Sequence, residues 1–140
     1  MPASDSLGSK GGLITSPSSF GPKETIDRLQ TEVCARGMKI FARIDHAAGA
    51  AEAGLELRPT ELIIFGNARG GTPLMQAAQT VGIDLPLKML VWQDPAHKTW
   101  LSYNEPGWIA QRHGVSESEP AVIKMAAALS AIAKKATTAE

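Results

Sequence analysis

The sequence holds a single cysteine, Cys34, among its 140 residues. One thiol makes neither an internal disulfide nor a cysteine-rich zinc site, and it fits a reducing compartment. Aromatic residues are sparse at 5%, with one tyrosine. An excess of one charge is also missing: 14 basic and 14 acidic residues leave a net charge of +0. That balance speaks against a nucleic-acid binder held by a broad basic field. No stretch reaches the roughly 18 consecutive apolar residues of a membrane span. The opening MPASDSLGSK has no apolar run that would serve as a signal peptide. The expectation is a cytoplasmic protein with no membrane and no nucleic-acid partner.

What is present suffices for a core. Hydrophobic residues make up 44% of a chain that has the length of one domain. Residues 1–10 are small and polar and read as a loose arm. Gly11 to Ser16 reads as a short strand stopped by Pro17. Ile26, Leu29 and Val33 recur on one side of Glu24–Ala35, which predicts a helix with Cys34 near its inner edge. Gly37 is placed to end that helix in a left-handed cap. Met38–Ile44 alternates as a strand, and Asp45 is placed to cap a short helix over His46–Ala53, ended by Gly54.

Thr60–Phe65 is apolar and branched, the pattern of a central strand. A glycine-rich loop and a short helix over Pro73–Thr80 follow. Pro86–Gln93 and Lys98–Tyr103 flank a four-residue polar link and predict a hairpin, with Trp92 and Trp100 packing across its arms. A short helix over Pro106–Arg112 comes next. After a polar linker, Pro120–Lys135 is the longest helix, with Val122, Met125, Ala126, Leu129, Ile132 and Ala133 on its apolar side. This order fits an α+β domain, a single sheet with helices packed on one face, rather than a doubly wound parallel sheet.

The loop Ile64-Phe65-Gly66-Asn67-Ala68-Arg69-Gly70-Gly71-Thr72-Pro73-Leu74 carries the chemistry that is legible. It follows an apolar strand and precedes a helix, the setting in which backbone amides hold anions. Arg69 adds a bidentate donor and Thr72 a hydroxyl. Two nucleotide motifs are excluded. A Walker loop needs a lysine after its second glycine, and a dinucleotide fingerprint needs G-x-G-x-x-G. Three readings stay open: a phosphate or nucleotide site outside those motifs, a broader pocket for a small ligand or anion formed by Asn67, Arg69, Gly70, Gly71 and Thr72, or a structural corner in which Thr72 caps the helix from Pro73.

His46 is the second candidate. At a helix start its imidazole is favoured in the neutral form, suited to ligand contact or to acid–base work. The catalytic reading needs a second titratable group within hydrogen-bond reach. His97 in a turn and His113 at a helix end have simple surface explanations. There is no H-E-x-x-H, and no spacing predicts a metal or any other cofactor. Three functions therefore compete: a domain binding a small anion in one pocket near His46 and the Asn67–Thr72 loop, a structural or interaction module, and an enzyme using His46 as acid–base group.

Four short runs, taken together, resemble a known family. They are Ile44-Asp45-His46, Phe65-Gly66-Asn67, Gly71-Thr72-Pro73-Leu74-Met75 and Leu85-Pro86-Leu87. They look like the DUF302 family, small bacterial and archaeal domains of uncharacterised function, over about Gly11 to Gly114. His46 matches the family's histidine, Asn67 its asparagine, and Gly71 and Thr72 its Gly-Thr pair. Ala68 stands where the family often has proline. The resemblance implies a curved, mainly antiparallel sheet covered by helices, similar in plan to a TATA-binding-protein repeat. It also implies a homodimer, and it carries over no activity. The expected division is an arm over 1–10, the family domain over 11–115, and a C-terminal helix and tail over 116–140.

Overall fold

Five strands form one sheet in the order β1-β5-β4-β3-β2. They are β1 (Leu13–Pro17), β2 (Lys39–Asp45), β3 (Thr60–Gly66), β4 (Leu87–Gln93) and β5 (Thr99–Asn104). All four pairings are antiparallel. The helices are α1 (Pro22–Ala35), α2 (His46–Glu52), α3 (Ala68–Ala77), α4 (Pro106–Arg112) and α5 (Pro120–Thr137). The computed structural model describes residues 11–139, so the expected arm over 1–10 lies outside the described residues. The architecture is mixed α+β, as the order of elements predicts. Pro17 belongs to β1 instead of stopping it, opposite Trp100. It is tolerated because β1 is an edge strand, where a missing amide costs no ladder bond.

Alternation along the strands decides which residues are covered. Ile63, Phe65, Met89, Val91, Leu101 and Tyr103 are buried. Helix α1 lies against β2, β3 and β4 and runs beside α5. Its Ile26, Leu29 and Val33 are 1% exposed or less, and α5 adds Val122, Met125, Leu129 and Ile132 to the same core. Cys34 does not share this burial: it is exposed. At 100° per residue it falls about 100° away from the stripe of Ile26, Leu29 and Val33, and so points outward. Helix α1 ends as expected. The Gly37 amide donates to the Cys34 carbonyl and the Met38 amide to the Val33 carbonyl, with Gly37 at φ 76°.

The residues between the buried ones project to the other side of the sheet. Ala42, Ile44, Leu62, Ile64, Leu90, Trp92 and Trp100 share that face by register, and none is buried. Trp92 and Trp100 are cross-strand partners whose rings stack with centroids 6.1 Å apart. Trp92 Nε1 donates to Ser102 Oγ at 2.9 Å. The hairpin between them is closed by Asp94. Its Oδ1 accepts from the Ala96 and Lys98 amides at 2.9 Å, and its Oδ2 accepts from Trp100 Nε1 at 2.9 Å. The indole hydrogen bond, with the two amides, holds this carboxyl below its usual range.

Candidate functional site

The glycine-rich stretch is not a loop. Helix α3 begins at Ala68, and Asn67 is its cap, with Oδ1 accepting from the Gly70 amide at 2.7 Å. Thr72 therefore does not cap a helix starting at Pro73, and Pro73 lies inside α3. The side chain of Asn67 supplies an acceptor one turn before proline could start a helix, and Gly71 and Leu74 bury on the inner face. The helix ends at Ala77, not Thr80, because Ala78 is extended, and a 3-10 turn over Gln79–Ile83 follows. This start also weakens a phosphate cradle. Of the four leading amides, which run from Asn67 to Gly70, that of Gly70 is taken by the Asn67 side chain, and the Gly71 amide makes the first ordinary helical bond to the Asn67 carbonyl at 3.2 Å.

Beside α3 lies an open cleft of about 650 Å³. Its walls come from α3, α5, the segment running from Gly82 to Leu87, and the start of β2. Asn67, Arg69, Gly70, Gly71 and Thr72 all line it. Most of the surface is apolar, with Met38, Phe41, Met75, Leu85 and Met125 among the lining residues. Phe41 reaches it from a bulge, where β2 slips one residue against β3 between Ile40 and Ala42. The charged lining residues are Arg69 and Lys124, with no carboxylate among them. Both are exposed, and neither joins an ion pair among the described residues. A second depression, beside α1, differs in that its charges are compensated: Lys23 pairs with Asp27 at 3.0 Å and Arg28 with Glu24 at 3.9 Å. That one is a solvated helix face.

His46 is not part of the cleft. Asp45 sits opposite Glu61 at one end of the β2–β3 pair, and Lys39 sits opposite Gly66 at the other. Six residue steps of strand, roughly 20 Å, separate the two ends. His46 follows Asp45, whose Oδ1 accepts from the Ala48 amide at 2.9 Å, the cap that the sequence predicts. The imidazole is exposed, and no hydrogen bond among the described residues involves it. The loop candidates come together and the histidine does not join them.

The partnered histidine is His113. Its Nε2 lies 2.6 Å from Asp84 Oδ2, and its Nδ1 lies 2.8 Å from Thr80 Oγ1. Arg112 grips the same carboxylate through Nη1 at 2.9 and 3.1 Å. The His113 side chain is 8% exposed and that of Asp84 14%. So the surface explanation expected for His113 does not hold. Asp84 belongs to the stretch that walls the cleft, and this network fastens the back of that wall to the end of α4. Lys88 secures the wall from the other side, donating to the Pro86 carbonyl at 2.8 Å and the Asp84 carbonyl at 3.2 Å. Partial burial lowers its pKa, against the opposing pull of Asp84. Nothing in local sequence flags the network, because its acid and histidine lie 29 residues apart. Among the described residues, no three His, Cys, Asp or Glu side chains come together as a metal site.

Comparison with known proteins gives three kinds of match, of different reach. A crystal structure of an uncharacterized conserved DUF302 protein from Bacillus stearothermophilus superposes with a TM-score of 0.80. It covers 89% of this chain and 98% of that one, at 20% identity, a likeness of fold alone. The proteins called fluoride-specific ion channel FluC 1 of Brucella suis biovar 1 (strain 1330) and Brucella abortus biovar 1 (strain 9-941) are each 50% identical over 113 residues. That match takes in 81% of this chain but only 44% and 42% of theirs, so this chain spans less than half the length of those relatives. The family model described as "Domain of unknown function DUF302" matches residues 14–135. With nearly the whole chain inside that match, on the fold of a DUF302 crystal structure, the chain belongs to the DUF302 family.

Proposed function

We propose that this domain binds a small anion in the cleft beside α3. The observation that carries the reading is the pair Arg69 and Lys124 on a lining without a carboxylate. Two uncompensated cations at the mouth of a concavity raise the local concentration of anions and hold one by direct contact. Asn67 supports the arrangement by fixing the start of α3, and hence the stem of Arg69. The name of the Brucella relatives is consistent with an anion as ligand. No helix among the described residues is long and apolar enough to cross a membrane. We therefore assign the part shared with those relatives the role of an attached binding unit, with the pore in their remaining length. The test is an NMR titration with phosphate, fluoride, acetate and octanoate. Amide signals of Ala68 to Thr72 and of Lys124 should shift saturably with at least one of them, and Arg69→Ala with Lys124→Ala should weaken that binding about tenfold or more. Signals that stay still across the panel would overturn the reading.

A second reading concerns self-association. The sheet face carrying Ile44, Leu62, Ile64, Leu90, Trp92 and Trp100 is apolar and none of these is buried, with Ile44 39% exposed. Such a face favours a homodimer, sheet against sheet, at the roughly 1,200–2,000 Å² that stable interfaces bury. Sedimentation should give a dimer mass for the protein and a monomer mass for Ile44→Lys with Leu62→Lys. A monomer without the substitutions would end this proposal.

A further inference from the structure

The cleft holds more than two cations, and the rest of its lining narrows the ligand. Inorganic anions are bound by dense polar shells of amides, hydroxyls and water. Here one of the leading amides that could have added to such a shell, that of Gly70, is already engaged by the Asn67 side chain, and the Gly71 amide makes an ordinary helical bond. What lines the cleft beside Arg69 and Lys124 is instead Met38, Phe41, Met75 and Met125 with Leu85. Phe41 is 49% exposed, an aromatic ring held in water by a β-bulge. Lys39 Nζ lies over that ring, 5.3 Å from its centre, adding a third positive group near the rim. Unbranched thioether side chains adapt to flexible apolar guests, and three of them gather here. A volume of about 650 Å³ lies within the range of small-molecule sites.

Resting on the anion-site reading above, we infer that the ligand is amphipathic, a carboxylate carrying a flexible alkyl chain. The carboxylate is held by Arg69 and Lys124. The chain lies in the trough between Phe41 and the methionines. The charge pattern and the apolar lining then have one explanation: each is uncompensated alone, and a single monoanionic amphiphile covers both.

The experiment is a calorimetric series on the whole chain with acetate, hexanoate, octanoate and decanoate, below their micellar concentrations. At about 0.8 kcal/mol per buried methylene, each two-carbon extension should tighten binding by about tenfold. Decanol and decyltrimethylammonium should bind at least tenfold more weakly than decanoate. Phe41→Ser, a change at an exposed position, should flatten the dependence on chain length while leaving acetate unaffected. Arg69→Ala with Lys124→Ala should remove the preference for decanoate over decanol. Phosphate or acetate binding as tightly as decanoate would overturn the amphiphile and leave the anion site standing. Decanol binding as tightly as decanoate would overturn the assignment of the cations. Capture by anionic phospholipid vesicles without binding of monomeric decanoate would move the ligand to a membrane surface and sink the inference. No binding in any arm would bring down both readings.

Discussion

Gly12→Ala is expected to cost roughly 2–5 kcal/mol of stability, read as a fall in the urea midpoint. Two separate effects add at this position. Gly12 has φ +79°, in the left-handed region, where an alanine is strained by about 1–2 kcal/mol. A Cβ there would also lie 2.3 Å from Trp108 Cγ and 2.8 Å from its Cβ. The second distance matters more, because no rotation of the indole moves Trp108 Cβ away. The backbone cannot yield easily either, since the Gly12 carbonyl accepts from the Glu105 amide at 2.7 Å. Gly11 supplies the control. It has φ +65° but nothing within 4 Å of where a Cβ would lie, so Gly11→Ala should show the backbone cost alone. If the two variants unfold within about 0.5 kcal/mol of each other, contact with Trp108 is not the cause. Against a typical stability of about 5–15 kcal/mol, the larger loss would leave the protein close to unfolding.

Sequence periodicity was a good guide where one face alone decides the structure. Helix α1, strand β3, the Trp92–Trp100 hairpin and α5 all follow from apolar spacing that burial then satisfies. It misled at α3 for a specific reason. Two glycines followed by proline imitate a loop running into a helix start, yet a single Asn67 hydrogen bond to Gly70 opens the helix five residues before Pro73. Cys34 reads by type as a small hydrophobe, but its angle on α1 puts it outside the buried stripe. The distance between His46 and the Asn67 turn has a simpler origin. Antiparallel pairing sets the end of β2 beside the start of β3, so the residues following each strand lie at opposite ends of the pair. The cleft residues from Asn67 to Thr72 were legible because they are contiguous. Lys124, Phe41 and the Asp84–His113 network were not, because tertiary packing alone brings them to the cleft or behind its wall.

Ending the chain at Ser118, which removes α5, is expected to abolish cooperative folding. Val122, Met125, Leu129 and Ile132 are between 0% and 8% exposed, and all four leave with the helix. Burial of each contributes about 1.5–3 kcal/mol, so the loss is of the order of the whole stability of a domain this size. Polar ties go as well. Arg28 Nη2 donates to the Thr138 carbonyl at 2.9 Å and the Lys135 carbonyl at 3.3 Å, and the Ser19 amide donates to the Thr137 carbonyl at 2.8 Å. Leu29 and Val33 on α1 are fully buried, and the helix packed alongside α1 would be gone. Leu129→Ala in the full chain tests the same packing at smaller scale, with an expected loss of about 2–5 kcal/mol. A truncated chain that still gives dispersed amide signals and a single sharp melt would refute this account and make 116–140 an appendage. The dependence reaches function too, because α5 provides Lys124 and Met125 to the cleft. The helix that closes the core also lines the cleft, with Met125 serving both, so a chain lacking α5 should bind no carboxylate even where it remains soluble.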